Sequence, residues 1–253
     1  MLRFLIYAVM FGSWAYTLVY DITKIPVLYG TSWFSKFVFL TQLNFLLQTI
    51  YFGLSCVRAF IDDWNAKSRS KRDGRVPSYY TRTKLHSVCD FTYATAAFPV
   101  GMATCALFWG LWTIDRELVF PRVLDDFIPS WHNHMLHTSP IVFLIVDTCG
   151  TCHHMPCRKT GSLVVFVLTA IYFAILIGVR VTRGHWLYGV FDALSTQGQA
   201  MFLAAAAIAF WLLYIMGDTL NRAIWGTASH MEAKVEATSP DKQRTRYNKL
   251  RRD

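Results

Sequence analysis

Phe37-Val38-Phe39-Leu40-Thr41-Gln42-Leu43-Asn44-Phe45-Leu46-Leu47-Gln48 decides how this chain folds. The run lies inside a segment long enough to cross a bilayer. Within it sit a hydroxyl at Thr41 and amides at Asn44 and Gln48. A second apolar segment opens with Trp131-His132-Asn133-His134-Met135-Leu136-His137-Thr138, which adds three imidazoles. Hydrocarbon disfavours such groups, so at membrane depth they pair with one another or do chemistry.

The composition supports a membrane reading. Of 253 residues, 54% are hydrophobic and only 16% charged, whereas a soluble domain carries about a quarter charged residues. Nine tryptophans suit rings placed at membrane interfaces. The net charge of +9 does not point to nucleic acid. Its Lys and Arg flank apolar segments, with no zinc-finger or RNA-binding signature.

Six segments reach spanning length, near residues 2–20, 35–58, 91–113, 131–148, 161–180 and 200–222. The expected fold is therefore all-α, a polytopic membrane protein with six transmembrane helices in one domain over residues 1–225. A basic, disordered tail is expected over 226–253. The first segment reads as an uncleaved anchor, because no small-residue cleavage pattern follows its long apolar run. Lys67, Arg69, Lys71, Arg72, Arg75, Arg82 and Lys84 follow the second segment, and Arg158 and Lys159 follow the fourth. The tail adds Lys234, Lys242, Arg244, Arg246, Lys249, Arg251 and Arg252. With an even number of passes these share one side, so the positive-inside rule places both termini in the cytoplasm. The plasma membrane and the endoplasmic reticulum obey the same rule and both fit.

With that orientation, Thr41 and His137 each enter from the outer or lumenal face about six residues into their helices, roughly 9 Å down. Thr41, Asn44 and Gln48 share one helical face, as do His134, His137 and Ile141. Asn133 lies one turn from His137 and is placed to orient it. A hydroxyl beside an imidazole is the minimum equipment for attack on an ester. His137 takes the proton of Thr41 and returns it to the leaving alcohol, with Asn44, Gln48 or His134 as candidate oxyanion donors. The competing reading is packing, because such residues commonly hydrogen-bond helices together in membranes. Packing or capping suits His132 better than catalysis.

Further elements stand in a fixed order. They are Ala97-Phe98-Pro99-Val100-Gly101, Asp115-Arg116-Glu117-Leu118-Val119-Phe120-Pro121 and Leu124-Asp125-Asp126-Phe127-Ile128-Pro129-Ser130-Trp131. Gly184, Trp186 and Tyr188 follow, then Gly217, Asp218, Leu220, Asn221, Ile224 and Trp225. With the Thr41 and His137 motifs, this order resembles the androgen-induced gene 1 family (FAR-17a/AIG1-like) from about residue 10 to 225. The resemblance implies a multipass membrane hydrolase of fatty acid esters of hydroxy fatty acids. It also implies a threonine nucleophile and a histidine, with no metal and no soluble cofactor. The family's threonine falls on Thr41, and its histidine on His137 rather than His134. Three departures stand out. Asn44 replaces an Asp found in some members, His132 an apolar residue, and Pro140 is displaced by about two positions. The last leaves the helix geometry below His137 open.

Other signals carry less. Cys149, Cys152, His153 and Cys157 invite zinc, and Cys152-His153 completes a haem-attachment spacing. The expected cytosolic placement favours a plain polar loop. Intramembrane haem would need histidines facing one another from different helices. Arg180 and Arg183 either mark the interface or hold a substrate carboxylate. Asp147 and Asp218 are expected to cap helices or pair with basic loops. Asp115, Arg116 and Glu117 are expected to order the outer loop. The partners expected are a lipid ester and the membrane. The rival function is a non-enzymatic lipid-binding or signalling protein, or a small transporter.

Overall fold

Long apolar runs satisfy their own backbone groups only as helices, and the chain follows that rule. The computed structural model describes residues 1–27, 30, 32–73 and 82–238, and the side chains among these except 66–73 and 227–238. Most of the basic residues invoked for orientation lie outside the described side chains, from Lys67 to Arg75 and in the tail. No strand occurs among the described residues.

The helices are α1 (Leu2–Lys24), α2 (Leu40–Asp73), α3 (Lys84–Thr92), α4 (Phe98–Ile114), α5 (Ser130–His137), α6 (Ser139–Gly150), α7 (Arg158–Arg183), α8 (Gly189–Ala193) and α9 (Thr196–Thr238). Helix α9 continues past Trp225, where a disordered tail was expected to begin. Residues 239–253 lie outside the described residues. Five stretches are long and apolar enough to cross a membrane: Leu2–Lys24, Leu40–Asn65, Lys84–Ile114, Arg158–Arg183 and Thr196–Gly226.

The expected fourth span is not one helix. It breaks at Thr138 into α5 and the apolar α6. Pro140 is the cause, since it has no N–H to give the Leu136 carbonyl. The Ile141 N–H turns instead to the Thr138 carbonyl at 3.2 Å. That leaves the His137 carbonyl without a helical donor, and Trp109 Nε1 takes it at 2.9 Å.

Helix α2 also starts later than the hydropathy suggests. A 3-10 turn over Trp33–Val38 precedes it, and the helix begins at Leu40. The Leu40 N–H meets the hydroxyls of Tyr172 and Tyr188 at 3.1 and 3.0 Å. A π turn over Tyr93–Ala97 joins α3 to α4 just before Pro99. Such a turn accommodates a proline that cannot continue the hydrogen-bond ladder. The Ala97 carbonyl there accepts Gln48 Nε2 at 2.8 Å.

Contacts at both ends fix the direction of the broken segment. Asp21, late in α1, faces His132, early in α5, at 3.4 Å. Tyr7, early in α1, donates to Asp147, late in α6. The α5–α6 pair therefore runs antiparallel to α1 over most of its length. An aromatic core holds α1, α2, α4 and α6 together, with Trp14, Phe45, Tyr51, Phe52 and Phe98 all at 1% exposure or less. Gly101 permits close approach. A Cβ there would lie 2.6 Å from Gln48 Nε2 and 2.7 Å from Leu144 Cδ1.

At the end of the bundle opposite Thr41, the loop after α6 is a buried polar centre, not the plain polar loop expected. His153 Nδ1 lies 3.1 Å from Asp90 and Nε2 lies 3.3 Å from Asp147. Its ring stacks on Tyr93 at 3.8 Å. Asp147 pairs with this loop histidine and also accepts from Tyr7 and Tyr51. Asp90 takes Arg58 at 2.9 Å and also Arg82. Asp218 does pair with basic side chains, Arg158 at 2.7 Å and Arg222 at 2.8 Å. Among the described residues, no group of three or more His, Cys, Asp or Glu is disposed to hold a metal.

Candidate active site

A threonine inside a helix normally turns its hydroxyl back to the carbonyl four residues earlier. Thr17, Thr49, Thr95 and Thr104 do this at 2.8 Å. Thr41 does not, because α2 begins only one residue before it. Its Oγ1 instead lies 3.1 Å from His137 Nε2.

The tautomer of His137 follows from its other nitrogen. Nδ1 sits 2.8 Å from Asn133 Oδ1 and 3.0 Å from the Asn133 carbonyl. Both are acceptors, so Nδ1 carries the ring proton and Nε2 presents its lone pair. The Thr41 hydroxyl then donates to that lone pair. The ring is fixed on a third side by Phe108, stacked at 3.6 Å between centroids and 11° between planes. His137 is 5% exposed. The stacking partner had no signal in the sequence beyond its place in an apolar helix.

Thr41 was expected about six residues into a regular helix, where amides are already bonded. Its actual place in the first turn changes that. Gln42 and Leu43 N–H both reach the Phe39 carbonyl at 3.1 Å, and the Leu40 N–H is held by the two tyrosines. Among the described residues, no partner is found for the Thr41 N–H itself. Free amides and the positive dipole end of a helix favour developing negative charge.

Both groups open on a cavity of about 370 Å³, together with Gln42, Lys36, Asp21 and His132. A narrower apolar slot of about 70 Å³ adjoins it and runs between Leu107, Leu176, Phe202, Leu203 and Ala206. Thr41, Phe108, Val119 and Tyr188 line both. Thr41 thus stands where a roomier chamber, mostly apolar but holding a few polar side chains, meets a narrow greasy slot.

The other residues singled out in the sequence lie elsewhere. Asn44 and Gln48 are fully buried and bond each other at 3.0 Å, away from the cavity lining. His134 is exposed, bonded to Thr138 and stacked on Trp109 at 5.4 Å. Arg180 donates to the Gly184 carbonyl and lies over Trp186 at 5.6 Å, and neither Arg180 nor Arg183 lines the cavity. Gln42, Lys36 and Asp21 line it and had not been singled out. Asp21 did leave a signal, as an acid directly after the first apolar segment.

Residues 3–222 match the family described as FAR-17a/AIG1-like protein. This chain belongs to the FAR-17a/AIG1-like family. The androgen-induced gene 1 protein of Homo sapiens is 30% identical over 208 residues, covering 82% of this chain and 84% of that protein. The androgen-dependent TFPI-regulating protein of Mus musculus is 34% identical over 196 residues, covering 78% and 80%. The protein of the same name from Homo sapiens is 30% identical over 192 residues, covering 76% and 78%. No solved structure matches. For this FAR-17a/AIG1-like chain, then, the site rests on its own geometry.

Proposed function

We propose that this chain is a membrane-embedded threonine hydrolase of lipid esters, and that its substrates are fatty acid esters of hydroxy fatty acids. The observation that carries the reading is the Thr41 hydroxyl donating to an imidazole whose tautomer Asn133 fixes, at the meeting of two cavities. An ester with two long arms suits that junction, one arm in each cavity. Family membership and the substrate class implied by the resemblance agree with it.

The reaction balances through one proton. Thr41 Oγ1 attacks the ester carbonyl while its proton passes to His137 Nε2. The leaving alcohol takes that proton as its bond to the acyl carbon breaks. Water then gives a proton to Nε2 and attacks the acyl-threonine, releasing the acid and restoring the hydroxyl. The oxyanion is received by the Thr41 N–H and the Gln42 amide, which lines the same cavity and whose buried Oε1 has no partner among the described residues. A half-turn of that amide presents its NH₂.

The chain is proposed to cross the membrane six times within one domain, counting α5–α6 as the bent fourth pass. Both termini then face the cytoplasm, and Thr41 lies near the opposite leaflet. Substrate enters from the bilayer. Purified protein treated with a fluorophosphonate probe should carry the label on Thr41, and Thr41→Ala should neither label nor hydrolyse. Thr41→Ser should retain turnover because its hydroxyl survives. An unlabelled but folded wild type that binds lipid would instead favour a non-enzymatic lipid-binding or signalling protein.

A further inference from the structure

The cavity that holds Thr41 and His137 contains a second polar cluster that the ester chemistry does not use. Lys36 Nζ lies 2.9 Å from Asp21 Oδ1 and 3.3 Å from the Ile25 carbonyl. Trp33 Nε1 also donates to Asp21 Oδ1, at 2.9 Å. Asp21, Lys36 and His132 are 0%, 6% and 1% exposed, and all three line the cavity.

The cluster is incomplete. An ammonium has three protons, and Lys36 uses two. His132 Nε2 stands 3.4 Å from Asp21 Oδ2, and neither ring nitrogen completes a hydrogen bond among the described residues. Asp21 Oδ2 is likewise unpartnered. Buried polar groups left unpaired cost free energy unless a ligand or water meets them. The remaining acid in the cavity, Glu117, is engaged with Arg122, through its N–H at 3.2 Å and its guanidinium at 3.7 Å. The donors left over are therefore a Lys36 proton and an N–H of the His132 ring, which holds Nε2 3.4 Å from Asp21 Oδ2; both residues are buried and line the chamber. A carboxylate accepts from two such donors and replaces water poorly supplied at that depth.

We propose that Lys36, set by Asp21 and flanked by His132, is a recognition site for the free carboxylate of a long-chain acid. This rests on the hydrolase reading for its role, which is to seat the acid end of the substrate while the ester reaches Thr41. Lys36 lies five residues before the nucleophile, in the 3-10 turn that leads into α2. The site and the reacting hydroxyl are thus built on one short stretch of chain. It takes the part that the sequence suggested for Arg180 and Arg183.

Binding of tritiated 12-hydroxystearic acid and of its methyl ester tests the site without requiring turnover. The full chain in phosphatidylcholine nanodiscs is used, above the acid's own pKa. Wild type should bind the acid at least ~10-fold more tightly than the methyl ester. The ratio should collapse to within about twofold in Lys36→Gln and survive in Lys36→Arg. The double variant Asp21→Asn, Lys36→Gln leaves no charge unpaired and serves where the single one does not accumulate. Equal binding of acid and methyl ester by wild type overturns the proposal. So does an acid preference that persists in the Gln variants. Probe labelling of Thr41 in the same samples keeps the two readings apart. Acid preference without labelling sinks the hydrolase alone, and labelling without acid preference sinks the carboxylate site alone.

Discussion

Asn133 lies one helical turn before His137, and its two oxygens share the Nδ1 proton at 2.8 and 3.0 Å. One comes from the side chain and one from the backbone. The tautomer that makes Nε2 a base is therefore secured twice. Asn133→Leu removes only the side-chain acceptor, so the carbonyl should keep a fraction of the rings correctly set. Its kcat/KM for ester hydrolysis should fall by about 10–100-fold, the range for losing a group that orients a functional imidazole. His137→Ala should remove turnover altogether. Equal losses in the two variants would show that Asn133 does something other than orient the ring.

The slot beside Thr41 sets a second expectation. Ala206 is 7% exposed and lines the slot with Leu203 and Phe210. Ala206→Phe places a ring where an acyl chain would lie. Relative rates across a series of acyl lengths should shift several-fold toward short chains, with Thr41 labelling retained. An unchanged length profile would mean that the slot does not carry the acyl arm.

Much of this was legible in the sequence, for stateable reasons. The helices follow from apolar length. The pairing of Thr41 with His137 followed from two polar stripes entering from one face, because the second and fourth passes both run antiparallel to α1 and so bring their early residues to one level. What escaped was local. Hydropathy does not register that Tyr172 and Tyr188 cap Leu40 and delay the start of α2, yet this leaves the Thr41 hydroxyl without a helical carbonyl and its N–H without a partner among the described residues. Asn44 and Gln48 share Thr41's face, but a face spans a whole helix. Seven residues at ~1.5 Å each carry Gln48 about 10 Å deeper, to the Ala97 carbonyl. Lys36 was hidden, and His132 read only as a packing or capping residue, because their partner, Asp21, comes from another helix.

Close approach at Gly101 sets a third expectation. A Cβ there would meet Gln48 and Leu144 at 2.6 and 2.7 Å. Both are side-chain tips, but Gln48 Nε2 is held by Asn44 and the Ala97 carbonyl and Leu144 is fully buried, so neither yields freely. Gly101→Val should destabilise the fold by about 1–3 kcal/mol, the usual cost of overpacking. A lowered midpoint of thermal inactivation in detergent would register it. A midpoint equal to wild type would mean that α4 can shift away from α2 and α6.

The His153 centre makes stability depend on pH. Both ring nitrogens face carboxylates, which only accept, so both must carry protons and the ring is an imidazolium. Burial opposes that charge, but Asp147 and Asp90 outweigh it and raise the His153 pKa above the ordinary histidine value. A raised pKa means that the folded state holds a proton the unfolded chain releases. The contribution is complete below the unfolded value of about 6.5 and is lost as pH climbs through the raised folded value. Thermal stability of wild type should therefore decline on the alkaline side of neutrality. His153→Gln can donate through its amide but carries no charge, so its stability should be lower near neutral pH and flatter across the same range. Removing one member of a buried charged group costs about 3–5 kcal/mol, which sets the scale of the loss. A variant that tracks the wild-type pH profile would place the titrating group elsewhere.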